Sequence, residues 1–595
     1  MDTKKKSPTP ANPAADSAPA IPPEGRARVV IDQVRPAVDG GRFPVKRVVG
    51  ESVTVDADIF ADGHDELSGL LLYRKGSIGS WCEVSMQPLA NDLWRAEFQV
   101  SEIGDYYYTV QAWVDRFKSW RRAMAKKIAA NQDVGVDLLV GAALVADSAA
   151  RAAPADREFL SAYVEKLRSN TEDTPEMALD GELANLMARY PDRRWVAIYD
   201  KELRVVVERE KARFSAWYEM FPRSCAAAAG AHGTLKDCAA RLPYVAAMGF
   251  DVLYLPPIHP VGISFRKGKN NSPEAGPEDV GSPWAIGAPA GGHKMIHPQL
   301  GTLADFNHFV ASAKTLGLEI ALDVAFQCTP DHPYVHDHPD WFRSRPDGSI
   351  QYAENPPKKY QDIYPIDFET DDWEALWHEL KSVLEFWCEQ GIRIFRVDNP
   401  HTKAFPFWQW VIGEIKEKYA DTIFLAEAFT RPKLMYRLAK LGFSQSYTYF
   451  AWRNTKAELV EYFTELTQSD VKEYFRPNLW PNTPDTLTEY LQFGGRPAFM
   501  ARLVLAATLG ANYGIYGPAY ELCENVAREP GSEEYLDSEK YQLKLWDVSR
   551  TDNLKEFIAR VNGIRRENRA LQSDRSLRFH AVDNEEIICF SKQAE

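Results

Sequence analysis

Between Arg28 and about Arg121, apolar and polar residues alternate in short runs separated by turn residues: ARVVIDQV, SVTVDADIFADG, GLLLYRKG, LWRAEFQVSEIG and YYYTVQAWVD. A period of two at this spacing predicts a β-sandwich. From Ala129 to about Tyr190 the period lengthens to that of a helix, as in REFLSAYVEKL and GELANLMARY, with Asp, Ser and Pro at the joins. This predicts a small helical insert of interface type. After Arg204, strand-like and helix-like segments alternate. The strand candidates are SAWYEMFPR (215–223), DVLYLPPI (251–258), EIALDVAFQ (319–327), GIRIFRVDN (391–399), TIFLAEAF (422–429), SQSYTYFAW (444–452), LWPNTPD (479–485) and ANYGIYGP (511–518). Amphipathic runs such as LKDCAARLPYVAAMG, LADFNHFVASAKTLG, WEALWHELKSVLEFWCEQG and FMARLVLAATLG lie between them, each closing on a glycine as a helix C-cap does. Eight units exceed the six or so strands of a doubly wound sheet and predict an α/β chain built on a (β/α)8 barrel.

The expected organisation is a disordered tail (1–27), the sandwich (28–125), the helical insert (126–204) and the barrel (205–572). The barrel carries a subdomain at 328–370, after its third strand. The stretch LRFHAVDNEEIICFSKQAE resumes an alternating pattern, so 573–595 is expected to be the start of a truncated C-terminal β-domain.

Charge removes several function classes. Lys+Arg 70 against Asp+Glu 84 leaves 595 residues at −14, with no basic block beyond the opening KKK. Neither nucleic acid nor an anionic membrane is an expected partner. Seven scattered cysteines without a C-x-x-C indicate reduced thiols rather than a disulfide framework or a zinc ribbon. The Pro/Ala/Ser-rich N-terminus has no apolar h-region, and the longest near-apolar stretch, Leu138 to Val145, is far shorter than the ~20 residues of a membrane span. A cytoplasmic location follows as the expectation. No Walker or dinucleotide glycine pattern is present, so no cofactor is expected. The 16 tryptophans suit stacking on planar-faced ligands such as sugars as well as core packing.

Enzymes on this barrel gather their reacting groups at the C-terminal ends of strands. Four carboxylates fit that position: Asp323 in LEIALDVAF, Asp398 in IRIFRVDNPH, Glu427 in IFLAEAFTRP and Asp485 in LWPNTPDTL. A lone carboxylate is usually a solvated charge, but burying one in an apolar strand is costly without a partner or a purpose. The 29-residue interval from Asp398 to Glu427 is close to one βαβ unit. The pair would then face each other across the barrel mouth, as a retaining glycosidic pair does at ~5–5.5 Å. Arg396, two residues before Asp398, points to the same side of the strand and would hold it ionised; a structural ion pair is the other reading. The run DHPYVHDHPD, with His332, His336 and His338, lies in a Pro-rich loop and has no H-E-x-x-H pattern, so no metal site is assigned. His401 is expected in the active-site surroundings.

In order and spacing, Asp323 in LDVAFQ, Arg396 and Asp398 in FRVDNPH, Glu427 in LAEAF and Asp485 in PNTPD resemble the four motif regions of the α-amylase family of retaining α-glucan enzymes. The resemblance implies Asp398 as nucleophile, Glu427 as acid/base and Asp485 as the carboxylate that grips sugar hydroxyls. Two departures stand out: Gln327-Cys328 where amylases have Asn-His, and Pro484-Asp485 where they have His-Asp. Together with GSPWAIG (281–287), FRKGKNN (265–271) and AENPPKKYQDIYPIDF (353–368), these departures resemble the maltosyltransferases that use α-maltose 1-phosphate to extend α-1,4-glucans. That resemblance implies Asn355, Lys358 and Tyr360 on the phosphate side. It implies Lys267, Gln327, Asp362, Asn399, Lys540 and Tyr541 around the disaccharide phosphate generally, and a homodimer with the sandwich and insert near the contact. Two other readings stay open. One is an α-glucan hydrolase or trehalose-forming isomerase using the same carboxylates; the other is a non-catalytic binding module, against which the presence of all three carboxylates argues.

Overall fold

The computed structural model describes residues 25–171 and 173–594; the expected tail, 1–27, lies almost wholly outside the described residues. The chain forms two compact units. One comprises the residues up to Pro36 with Ser52–Phe98 and Tyr107–Leu203, and the other Ala37–Glu51, Gln99–Tyr106 and the chain from Arg204 onward.

In the first unit the strand Ser52–Ala61 buries Val53, Val55, Ala57 and Ile59 and leaves the residues between them at least partly exposed. It pairs antiparallel with Val29–Arg35, and Leu93–Gln99 lies on its other side. A second sheet sets Leu67–Lys75 between Gly104–Val114 and Cys82–Ser85. Five helices follow: Arg116–Ala129, Gly135–Arg151, Pro154–Ser169, Thr174–Ala178 and Gly181–Arg189. The first starts earlier than the sequence pattern suggests, because the Asp115 side chain accepts from the Lys118 N–H and caps it. Trp120, Leu138, Val145, Leu160, Leu167 and Leu183 share one core. Gly141 is required there, since a Cβ would sit 2.1 Å from the Trp120 ring.

The second unit contains a closed barrel of eight parallel strands: β1 (Ser215–Glu219), β2 (Val252–Leu255), β3 (Glu319–Val324), β4 (Ile394–Asp398), β5 (Ile423–Glu427), β6 (Gln445–Tyr447), β7 (Pro477–Leu479) and β8 (Asn512–Tyr516). Trp217, Tyr254, Ala321, Ile394, Leu425, Tyr447 and Trp480 fill its interior. Helices Leu235–Ala247 and Leu303–Thr315 open on reciprocal capping boxes, Thr234 with Asp237 and Thr302 with Asp305.

Three of the four expected C-cap glycines take left-handed backbone: Gly249 (φ 81°), Gly317 (76°) and Gly391 (92°). Gly510 does not (φ −100°); it is needed for space, because a Cβ would lie 2.6 Å from Leu479 Cδ1. A second correction concerns β7, which ends at Leu479, so Asp485 lies in the loop beyond it rather than at a strand end. The segment after β3 is anchored by Gln327–Cys328 pairing with Tyr364–Pro365, and it projects a hairpin of Ala353–Asn355 and Lys358–Tyr360. Arg578–His580 and Cys589–Ser591 pair antiparallel. Among the described residues no helix is long and apolar enough to cross a membrane.

Candidate active site

Side chains two apart on a strand project to the same side, and at the end of β4 this brings Arg396 Nη1 within 2.9 Å of Asp398 Oδ1. Parallel register sets Asp323 of β3 opposite Arg396 and Glu427 of β5 opposite Asp398. One guanidinium therefore meets three carboxylates: Asp323 at 2.9 Å, Asp398 at 2.9 Å and Glu427 at 3.5 Å. Neighbouring strands stand ~4.8 Å apart, so Asp398 and Glu427 face each other at short range.

Asn399 ties the pair together. Its backbone is left-handed (φ 42°), a conformation that Asn tolerates better than most residues. Its N–H donates to Glu427 Oε2 at 3.1 Å, and its side-chain amide donates to Asp398 Oδ2 at 3.3 Å.

Three carboxylates thus share one guanidinium at this largely buried position. Burial pushes the Glu427 carboxyl up to about 7, with Arg396 opposing and Asp398 adding. Asp323 is likewise pushed up to about 7 by burial, against Arg396. Its Oδ2 accepts from Tyr254 Oη, Trp284 Nε1 and Arg396.

Above these groups opens a cavity of about 850 Å3. Asp398, Glu427 and Asp485 line it together with Lys267, Gln327, Asp362 and Asn399. So do Asn355, Lys358 and Tyr360 from the hairpin of the third-strand insert, and Lys540 and Tyr541 from the loop after β8. Within the wall, Lys540 Nζ donates to both oxygens of Asp485 at 2.6 and 2.8 Å and lies 4.9 Å from the Trp284 ring. Gln327 Nε2 donates to the Trp284 carbonyl at 3.0 Å. Asp362 is 2% exposed and burial raises its pKa.

Arg396 and Asp323, expected to touch substrate, do not line the cavity; they lie beneath its floor. His401 does not line it either, and its Nδ1 is buried without a partner. His332 is committed to packing: it accepts from Tyr334 N–H and meets His293 at 3.1 Å. Among the described residues no group of three or more His, Cys, Asp or Glu is placed to hold a metal ion.

Several curated proteins similar to the chain share one name. A protein from Chlorobaculum tepidum, "Alpha-1,4-glucan:maltose-1-phosphate maltosyltransferase", is 56% identical over 94% of this chain and 84% of its own length. Proteins of that name from Methylacidiphilum infernorum (52%; 96% and 86%) and, numbered 1, from Streptomyces coelicolor (51%; 95% and 85%) match as well. The chain belongs to the α-1,4-glucan:maltose-1-phosphate maltosyltransferase family. The model of that family's domain N/S matches residues 27–209. The chain is therefore an enzyme, a maltosyltransferase. Its fold resembles a solved trehalulose synthase mutant (TM-score 0.51, 15% identity, 65% of this chain and 89% of that one) and a maltogenic α-amylase from Thermotoga neapolitana (0.50, 18%, 64% and 83%).

Three features in or beside the maltosyltransferase cavity are absent from the sequence expectations. Glu219 ends β1, is 1% exposed and has Oε1 without a partner; the rule of an acid ending an apolar strand would have found it. Lys403 lines the cavity five residues after Asp398, and burial lowers its pKa while Asp398 and Glu427 oppose that shift. Residues 528–534 complete the rim; nothing in their local pattern marks them.

Proposed function

We propose that the chain transfers a maltosyl unit from α-maltose 1-phosphate to the non-reducing end of an α-1,4-glucan, with retention. The observation that carries this reading is the pairing of the Asp398/Glu427 couple with a cavity wall holding Lys267, Lys358, Lys403 and Lys540. A neutral glucan needs no such cations, whereas a phosphate leaving group does.

In this mechanism Asp398, held by Arg396 and Asn399, attacks the anomeric carbon. The carbon–oxygen bond to phosphate breaks as Glu427 gives its proton to the leaving oxygen, and a β-maltosyl ester forms on Asp398. The acceptor's 4-hydroxyl then attacks that carbon and gives its proton to Glu427. The ester bond breaks, and inversion twice over leaves an α-1,4 link and free phosphate. A Glu427 pKa near 7 suits a group that must give and take a proton in turn. Asp485 grips sugar hydroxyls with its charge shared by Lys540. Asn355, Lys358 and Tyr360 meet the phosphate, while Lys267, Gln327, Asp362, Asn399 and Tyr541 orient the disaccharide phosphate.

A homodimer is part of the same reading. Val136, Leu139 and Val140, at i, i+3 and i+4 of one helix, are 76%, 55% and 48% exposed, with Phe159 at 58% on the next helix. An apolar patch of that kind suits a partner surface, and sedimentation as a monomer at micromolar concentration would count against it.

Incubation with α-maltose 1-phosphate and a maltooligosaccharide tests the chemistry. Phosphate release with products growing by two glucose units is expected. Absence of both phosphate release and a two-glucose ladder would overturn the reading; release of free sugar or trehalose from glucans would favour a hydrolase or isomerase.

A further inference from the structure

Arg223 follows β1 in the short turn Pro222–Ser224 and is 6% exposed. Its hydrogen bonds all go to main-chain carbonyls. Nη2 donates to Gly281 O at 2.9 Å, Glu539 O at 2.8 Å and Lys540 O at 2.8 Å, and Nε donates to Glu539 O at 3.3 Å. A guanidinium buried among carbonyls rather than beside a carboxylate is costly, and burial lowers its pKa to about 10.

The carbonyls it holds belong to two different loops, one after β2 and one after β8. The first continues into Trp284, whose Nε1 donates to Asp323 at 3.2 Å and whose carbonyl accepts from Gln327. The second carries Lys540, which holds Asp485. Both loops border a second cavity. Val280, Pro283, Leu543 and Arg223 itself line this cavity of about 240 Å3, while Ser282, Trp284, Lys540 and Tyr541 line the large one. The wall between the cavities is thus a shared partition: Trp284 packs edge-on against Phe221 with ring centres 5.9 Å apart, and the hydrogen bonds of Arg223 tie its two loops together. The Glu539 carboxylate is fixed separately, by Tyr516 Oη at 2.7 Å and Trp546 Nε1 at 2.9 Å. The loop after β8 therefore has an anchor of its own, and what Arg223 adds is the spacing between the two loops.

We propose that Arg223 is a positioning residue of the reaction: it sets the partition that presents Lys540 to Asp485 and Trp284 to Asp323 and Gln327. The inference rests on the proposed reaction for its donor alone. It is tested with Arg223→Met and Arg223→Lys, assayed on α-maltose 1-phosphate and on α-maltosyl fluoride, with a maltooligosaccharide acceptor.

Arg223→Met is expected to lose roughly 30- to 100-fold in kcat/KM on both donors, the donor KM rising as kcat falls, with Arg223→Lys between it and the parent. Combined with Lys540→Ala, it is expected to lose clearly less than the product of the two single losses, because part of its effect runs through the contact of Lys540 with Asp485. A lower melting temperature with unchanged KM on both donors, or losses that multiply in the double variant, would overturn the inference. If the parent enzyme turns over the fluoride but not the phosphate, the donor reading fails while the Arg223 effect is still measured.

Discussion

At the N-terminal end of the barrel strands, Glu208 is 4% exposed, with Lys416 Nζ at 2.7 Å, Arg476 on its other oxygen and Ser444 Oγ donating at 2.5 Å. At the C-terminal end, Glu427 lines the cavity with its side chain 15% exposed, and its nearest cation, Arg396, is shared with Asp323 and Asp398. Burial works to raise both pKa values. At the first site Lys416, Arg476 and Lys46 overwhelm it and hold the carboxyl well below the usual range; at the second it wins. The same end of the barrel as Glu208 also pairs Arg47 with Glu473 at 2.8 Å and Arg213 with Glu51 at 3.0 Å. Matched charge at one end stabilises the barrel, and unmatched charge at the other keeps a proton available for chemistry, at a cost in stability.

The largest test of this contrast is Asp398→Asn. Removing the attacking oxygen should abolish phosphate release by about 10^4-fold or more while leaving the unfolding transition near that of the parent. Turnover within about tenfold would mean that the mouth is not the chemical end.

Glu427→Gln should cost roughly 10^3-fold in kcat/KM. In the parent, kcat/KM should fall as pH rises through about 7, because the proton donor is lost there. The parent's stability should fall over the same range. A carboxyl whose folded pKa is raised contributes fully below its ordinary value and loses that contribution as pH climbs through about 7. At about pH 8 Glu427→Gln should therefore be more stable than the parent, on the order of 1–2 kcal/mol by denaturant titration.

Glu208→Gln is the mirror of that variant. It should leave kcat/KM within about threefold and lose about 2–4 kcal/mol of stability, since it strands Lys416 and Arg476 in a buried site. Its pKa is depressed on folding, so the parent's contribution is complete above the ordinary carboxyl value and drains away as pH falls below about 4.5. Converging stabilities of the two proteins in acid would confirm that sign.

The barrel and the catalytic couple were legible because two short-range rules act together: apolar strands of fixed period, and an acid placed where the strand leaves the barrel. Asp398, Arg396 and Glu427 lie two residues or one βαβ unit apart, so local spacing nearly determines their geometry. Asp485 was legible as a site residue but not as a loop residue. It lies six positions past β7 and owes its place to Lys540, 55 residues away. Arg223, Lys403 and the 528–534 rim escaped for a related reason. Each acquires its role from loops that meet only when the barrel closes. Arg223 also looks like an ordinary surface arginine until three carbonyls from distant segments surround it.

The smallest effect separates matching from burial. Glu319, the first residue of β3, is paired like Glu208, with Arg209 at 2.7 Å and Lys211 at 2.8 Å, but its side chain is 31% exposed. Burial raises its pKa less than Arg209 and Lys211 lower it, so the net shift is downward, in the same direction as for Glu208. If pairing alone set the energy, Glu319→Gln would cost as much as Glu208→Gln. Water at the rim screens the attraction and also solvates the cations left behind, so a loss of only about 0.5–1 kcal/mol is expected. Most of that loss should vanish in about 0.5 M salt, whereas the Glu208→Gln penalty should change little. Urea unfolding of both variants at low and high salt makes the comparison. Equal penalties with equal salt dependence would mean that the end of the barrel opposite the mouth is stabilised by charge count alone, and not by the depth at which the charges are matched.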